Sequence, residues 1–543
     1  MRGLMMDEPL MISSILEHSA TVHATTEVVA RTPEAGAIHR TTYGEAHRRT
    51  KRLAQALITL GMRPGDRVGS LAWNTHHHFE LFYGVSGTGA VLHTINPRLF
   101  DEHLIYIVNH AEDRWICVDA ATLAIAERIA PQLPGVRGWI YMSVDPELPK
   151  SSLPGLMSYE RLLAAQDGNY DWPNFDERQA SVLCYTSGTT GQPKGVANSH
   201  RSTILSALIM STADLIGGYR SGVRETYMPI APLFHGNGWQ MVYTAPLSGH
   251  RLVMPGRNFE PDKLFEIMEQ EEVTVAAGVP TIWLTLLDHM EQKGLKLPKL
   301  RAALVAGTKP PRSLIEGMEG RHGIEVAQCW GMTEALGVTR CTMPPGAADA
   351  PFEERVGHKL RQGRIAFTTK LRIVDDDGKV LPRDGEAFGH LQARGPLIAG
   401  AYLKQEAPTL DGWLQTGDVA RLFPDGTVEI VDRSKDVIKS GGEWISSAAV
   451  ENAAMGHPAV AQAAVIGIPH ARWQERPLLV VVRRTGKDVT REELIEFLRP
   501  QMASWWVPDD VEFVDALPMT ATGKIHKVSL RERFKDLVSI AAA

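Results

Sequence analysis

Between about residues 40 and 350 the sequence alternates short apolar runs with longer amphipathic ones, and this alternation narrows the possible folds more than any other feature. RVGSLAW, ASVLCYTS, RLVMPG, TVAAGVP and RAALVAGT have the length of single strands. STILSALIMSTADLI and EPDKLFEIMEQEEV, between them, are long enough for helices. Strands that alternate with helices predict mostly parallel sheets covered by helices on both faces. Past about residue 360 the pattern changes. LRIVDDDGKVLPRDGEAFGHLQARG and FPDGTVEIVDR read as short strands joined by Asp-Gly turns, hence a small antiparallel sheet or barrel. From about residue 434 onward the chain reads as a compact α+β set. Its clearest helix is TREELIEFLRPQM, where Thr490 and Glu493 form a capping box. At 543 residues such a chain builds more than one core.

Charge and cysteine usage exclude several functions. The net charge of −6 gives no general attraction to nucleic acid or to an anionic membrane, so an anionic ligand must be held by a local site. Cys117, Cys184, Cys329 and Cys341 are far apart and form no C-x-x-C pair, which argues against a disulfide framework or zinc ribbon and suits a reducing compartment. No apolar run approaches the roughly 20 residues of a membrane span. The N-terminus, with Asp7 and Glu8, lacks the basic-then-apolar pattern of a secretory signal. The expectation is a cytoplasmic protein without nucleic-acid partner or membrane span, with a homodimer left open. His76, His77 and His78 open a helix without a carboxylate or cysteine at ligand spacing, which weighs against a metal site. Gly84, Gly87 and Gly89 lie in an apolar helical run, where close packing explains them better than a dinucleotide does.

The strongest chemical signal is YTSGTTGQPKG, residues 185–195, after the strand ASVLC and before a helix beginning near His200. Gly188, Gly191 and Gly195 let the backbone approach phosphates closely. Thr186, Ser187, Thr189 and Thr190 offer hydroxyls and amides, and Lys194 adds a mobile positive charge. Pro193 stands where the Walker motif needs the glycine before its lysine, so this is a different phosphate loop.

With this segment the chain resembles the adenylate-forming superfamily of acyl-CoA synthetases, luciferases and peptide-synthetase adenylation domains, and the resemblance runs over nearly its full length in order. WGMTE, residues 330–334, resembles the family's aromatic-G-x-T-E motif. The resemblance implies that Trp330 packs near adenine with Gly331, that Thr333 meets the phosphate, and that Glu334 holds Mg²⁺ together with Thr186. Gly307 and Thr308, after RAALVA, resemble the segment bordering adenine and the carboxylate, although small residues usually stand where Lys309 does. In LQTGDVARL, Asp418 resembles the aspartate that takes both ribose hydroxyls, a task suited to a carboxylate's paired acceptors. Arg433 resembles the arginine that also touches the ribose, and Lys435 the pivot of the C-terminal domain. Lys439, Gly441, Gly442, Glu443 and Trp444 resemble the glycine-rich loop that enters the site for thioester formation. Lys524, in LPMTATGKIHK, resembles the adenylation lysine. The chemistry needs such a cation, because a carboxylate attacking the α-phosphate brings two anions together.

APLFHGNGWQMVY, residues 231–243, falls where the family builds its acyl pocket. At helical spacing His235 and Trp239 would face one cavity. FHGNGW, KSGGEWISS and HARWQERP resemble the fatty acyl-CoA synthetase branch, some members of which take short or medium chains, among them 3-methylmercaptopropionate-CoA ligases. Gly236 and Gly238 depart from the branch's longer tunnel signature.

The resemblance therefore implies an AMP-forming acyl-CoA ligase that uses ATP, CoA and Mg²⁺. It also implies an α/β fold with a large N-terminal region, residues 1–433, of two αβ subdomains plus a small β-barrel. A mobile α+β C-terminal domain, residues 434–543, follows. An adenylation enzyme that loads a separate carrier protein and a non-catalytic nucleotide sensor are the alternatives.

Overall fold

The computed structural model describes the chain except residues 2, 34–35, 187–191, 213–223, 341–342, 345, 407–408, 442, 520–524, 536 and 538–543. The apolar runs form two seven-stranded sheets. The first runs in the order Leu156–Ser158, Gly138–Met142, Asp113–Asp119, Arg67–Leu71, Val91–Ile95, Ala180–Thr186, Lys194–Ser199. The second runs Glu325–Gln328, Ala302–Val305, Val275–Gly278, Thr226–Pro229, Arg251–Met254, Glu27–Arg31, Ile38–Thr42. Each is parallel apart from one antiparallel edge strand, Lys194–Ser199 or Ile38–Thr42.

One core lies between the sheets and draws side chains from both, from Val68 and Leu92 on one side to Tyr227 and Leu252 on the other. The helices Tyr43–Thr59, His76–Gly84, His200–Met210 and Met241–Leu247 fill it. Separate cores cover the outer faces, under Asp101–Ala111 on the first sheet and under Pro261–Gln270 and Pro280–Lys293 on the second. The glycines near residue 84 do serve packing. A Cβ on Gly84 would stand 2.5 Å from Leu53, and one on Gly87 would stand 2.5 Å from Trp172. In the histidine run His77 Nε2 lies 3.1 Å from Glu160, and His78 lies 3.0 Å from Ser70 Oγ and from the Trp73 carbonyl.

The Asp-Gly segments fold into a five-stranded antiparallel sheet built around Trp413–Leu422, which pairs with Phe388–Arg394 and Val428–Arg433. Its hairpin turns at Gly426, whose φ of +82° favours glycine, and the Asp425 carboxylate accepts from Thr427 N at 2.9 Å. A second five-stranded sheet begins at Ile438–Ser440 and carries the helices Ser447–Met455, Arg491–Leu498 and Lys527–Arg533. Thr490 and Glu493 form the expected capping box. Among the described residues no helix is long and apolar enough to cross a membrane.

Candidate active site

In open parallel sheets, ligands collect outside the carboxyl ends of the strands. Thr186 ends Ala180–Thr186, Gly307 and Thr308 follow Ala302–Val305, and Trp330 follows Glu325–Gln328. His235 and Trp239 follow Thr226–Pro229. The phosphate-loop segment follows the strand Ala180–Thr186 and precedes the helix His200–Met210, as expected, and an antiparallel strand that was not expected lies between them. That strand is Lys194–Ser199, which pairs Lys194 with Thr186. Ser187, Gly188, Thr189 and Thr190 lie outside the described residues. The base of the hairpin is held through Tyr185, whose hydroxyl lies 2.6 Å from His110 Nδ1. Its ring centroid is 5.0 Å from His93, which is bonded to the buried Asp113 at 2.7 Å.

Asp418 is 2% exposed, and Trp330 and Arg433 converge on it. Its Oδ2 accepts from Trp330 Nε1 at 3.0 Å, and its Oδ1 faces Arg433 Nε at 3.0 Å across the strand pair. A carboxylate has about four acceptor positions, so one such group can take several donors at once. Gly331 is exposed, and a Cβ there would lie 3.0 Å from the Ala335 carbonyl, which explains glycine at that turn. Thr333 is half-buried. Glu334 is 7% exposed, and its Oε1 accepts from the Tyr402 hydroxyl at 2.9 Å. Lys194 Nζ lies 5.0 Å from the centroid of the same tyrosine ring. Sequence reasoning missed Tyr402, since one tyrosine in IAGAYLK carries no motif and its partners are 68 and more residues away. Gly307 and Thr308 are exposed, and the atypical Lys309 reaches Glu429 of the antiparallel sheet at 3.0 Å, joining the second sheet to it.

The geometry at the acyl segment differs from the expected helical turn. His235 is extended at φ −120° and ψ 120°, Gly236–Gln240 is a 3-10 helix, and Trp239 and Gln240 take φ of +52° and +64°. Gly236 and Gly238 also take positive φ, +50° and +59°, which glycine adopts without a Cβ penalty. A Cβ on Gly238 would stand 2.5 Å from Leu233, so the glycines that depart from the tunnel signature are required by this turn. Trp239 is half-buried and packs against the core between the sheets.

Lys435 sits between the antiparallel sheet and the C-terminal sheet. Burial holds its amine below the usual range; Asp436 opposes the shift, while Arg433, Arg531 and Lys527 reinforce it. Arg531 donates to the Lys435 carbonyl at 3.2 Å and to Asp436 at 2.7 Å. Asp432 Oδ2 accepts from Ser447 N and Oγ, both at 2.6 Å, and Lys527 pairs with Glu451 at 2.6 Å. The junction is therefore held from both sides. Beyond it, Lys439, Gly441, Glu443 and Trp444 form a hairpin docked on the antiparallel sheet. The Trp444 ring lies 5.7 Å from Phe388 and 5.4 Å from His390, and Lys439 Nζ is 3.9 Å from Asp376. His390 and Lys439 hold the Asp376 carboxyl below its ordinary range. Among the described residues no hydrogen bond, ion pair or ring contact joins this hairpin to Thr186, Lys194 or Glu334. Gly442 and Lys524 lie outside the described residues.

Residues 16–403 match the AMP-binding enzyme family, and residues 449–524 match the AMP-binding enzyme C-terminal domain. The 3-methylmercaptopropionyl-CoA ligases of Ruegeria lacuscaerulensis and Ruegeria pomeroyi are 46% and 45% identical, over 99% of this chain and 100% of theirs. The medium-chain-fatty-acid–CoA ligase of Ectopseudomonas oleovorans is 40% identical over 99% of this chain and 98% of its own. Among solved structures, an anthranilate CoA ligase in complex with anthranoyl-AMP superimposes with a TM-score of 0.83 at 25% identity, covering 97% of this chain and 98% of that one.

Proposed function

The chain belongs to the family of AMP-binding enzymes and is an acyl-CoA ligase, and we propose that its acid is a short- or medium-chain or thioether monocarboxylate such as 3-methylmercaptopropionate. The observation that carries this reading is the full-length identity of 46% and 45% to two ligases named for that acid.

The mechanism we propose has two steps. A carboxylate oxygen of the acid attacks the α-phosphorus of ATP, the bond to the bridging oxygen breaks, and pyrophosphate leaves with the electron pair. Lys524 stabilises the charge that builds there. The CoA thiol then loses its proton, its sulfur attacks the acyl carbon, and AMP departs. Lys194 and the hydroxyls of Thr186, Ser187, Thr189 and Thr190 receive the triphosphate, Asp418 and Arg433 the ribose, and Trp330 the adenine. Glu334 and Thr186 are the residues that would hold Mg²⁺. One carboxylate with an oxygen already oriented by Tyr402, plus a hydroxyl, is the hard oxygen donor set that this ion accepts when phosphates and water complete its shell. The ion would offset phosphate charge. For the second step the domain after residue 433 turns about Lys435, so that the hairpin at Lys439 reaches the adenylate. The cysteine usage favours a cytoplasmic location.

A panel of acids from acetate to palmitate, with 3-methylmercaptopropionate, tests the substrate. We expect kcat/KM for acyl-CoA formation to peak at 3-methylmercaptopropionate and the acids of similar length. A maximum at palmitate would overturn the short-acid reading. Each methylene is worth about 1–3 kcal/mol in such a pocket, enough for the peak to stand out. Trp239 supplies a second test, because a large ring at the mouth occludes volume a longer chain needs. Trp239→Ala is expected to move the preference toward longer acids. A chain-length profile superimposable on wild type would show that Trp239 does not line the acyl pocket.

A further inference from the structure

Lys194 and Glu334 carry opposite charges, sit on the two motifs assigned above to the phosphates and their cation, and approach the same side chain, yet among the described residues no ion pair joins them. Two such groups in a partly dry site attract strongly, and an ion pair between them would withdraw both from a ligand. What stands between them is Tyr402, 8% exposed. Its hydroxyl donates to Glu334 Oε1 at 2.9 Å, and its ring lies 5.0 Å from Lys194 Nζ. A phenol satisfies both at once, offering a donor at its edge to the anion and a negative π surface to the cation.

The ring is not free to leave. Leu403 N donates to the Gly195 carbonyl at 2.8 Å, next to Lys194, and Ala399 N donates to the carbonyl of Glu334 at 2.7 Å. Lys404 anchors the segment to Glu112 at 2.6 Å. Val196 and Leu414 pack with the ring. The backbone on both sides of Tyr402 is thus tied to the two motifs whose charges it separates.

We propose that Tyr402 is a positioning residue that keeps Lys194 and Glu334 from neutralising each other, so that the ammonium remains available to the triphosphate and the carboxylate to the cation that accompanies it. This rests on the ligase reading. Acid-dependent pyrophosphate release by the wild type checks that reading separately.

The test is calorimetric ATP binding, with and without Mg²⁺, in the full-length protein. Tyr402→Phe keeps the ring and loses the donor. It is expected to cut the gain in ATP affinity from Mg²⁺ by about tenfold, the scale of one hydrogen bond to a charged group, and to leave metal-free binding within about twofold. Tyr402→Leu removes the spacer, lets the two charges pair, and is expected to weaken metal-free ATP binding roughly tenfold. Adding Glu334→Gln to Tyr402→Leu should recover most of that loss, a larger gain than the same change gives in the wild type. A Mg²⁺ response unchanged in Tyr402→Phe, or strictly additive effects in the double mutant, would overturn the proposal. Because the phenylalanine variant preserves the packing, a misfolded leucine variant would leave the first arm decisive.

Discussion

Replacing Lys524 with alanine is expected to slow acyl-AMP formation by about 10²–10³-fold, the loss typical of one preorganised charge-stabilising donor. The same variant should convert supplied acyl-AMP and CoA to thioester at close to the wild-type rate. Adenylation joins a carboxylate to a phosphate and needs a cation between them. Thioester formation starts from an adenylate already made and needs a path for the thiol. In the mechanism we propose, the hairpin at Lys439 supplies that path once it leaves the antiparallel sheet, where Trp444 rests on Phe388 and His390. Lys439→Ala, or Lys435→Pro at the pivot, should accordingly form adenylate and pyrophosphate while transfer to CoA lags. Rapid-quench assay of each half-reaction in the three variants checks this. Equal damage to both half-reactions in Lys524→Ala would contradict a division of labour between the two lysines.

Glu334→Gln is expected to reduce overall activity by roughly 10²-fold while the melting temperature without ligand changes little. The glutamine keeps an oxygen for the Tyr402 hydroxyl, and the backbone bond from Ala399 to residue 334 is untouched. What disappears is the negative charge that would offset a bound cation. Activity and unliganded thermal unfolding, measured on the same preparation, separate the two roles. A loss of stability as large as the loss of activity would assign Glu334 to the core.

The two large sheets were legible because their central strands are continuous apolar runs, the pattern of strands buried on both faces. Their antiparallel edges were not. Lys194–Ser199 reads KGVANS, too polar and too close to the glycine-rich loop to look like a strand, so only the strand before the loop and the helix near His200 were legible there. The turn at residues 236–240 was missed for a related reason. Helical spacing between His235 and Trp239 assumes α-geometry, whereas Gly236 and Gly238 themselves take φ of +50° and +59°, which breaks that spacing. Asp418 and Arg433 could be matched to a motif, but the indole of Trp330 on the same carboxylate joins residues 88 positions apart and has no local signature. Tyr402 is the extreme case. Its significance lies entirely in which two charges meet on it.

The measurement that bears most directly on the central claim is the product balance of one reaction mixture holding ATP, Mg²⁺, CoA and 3-methylmercaptopropionate. Acyl-CoA, AMP and pyrophosphate should appear in equal amounts, with acid-dependent exchange of pyrophosphate into ATP when CoA is left out. ADP and phosphate in place of AMP and pyrophosphate, or no exchange without CoA for any acid, would contradict an acyl-adenylate ligase.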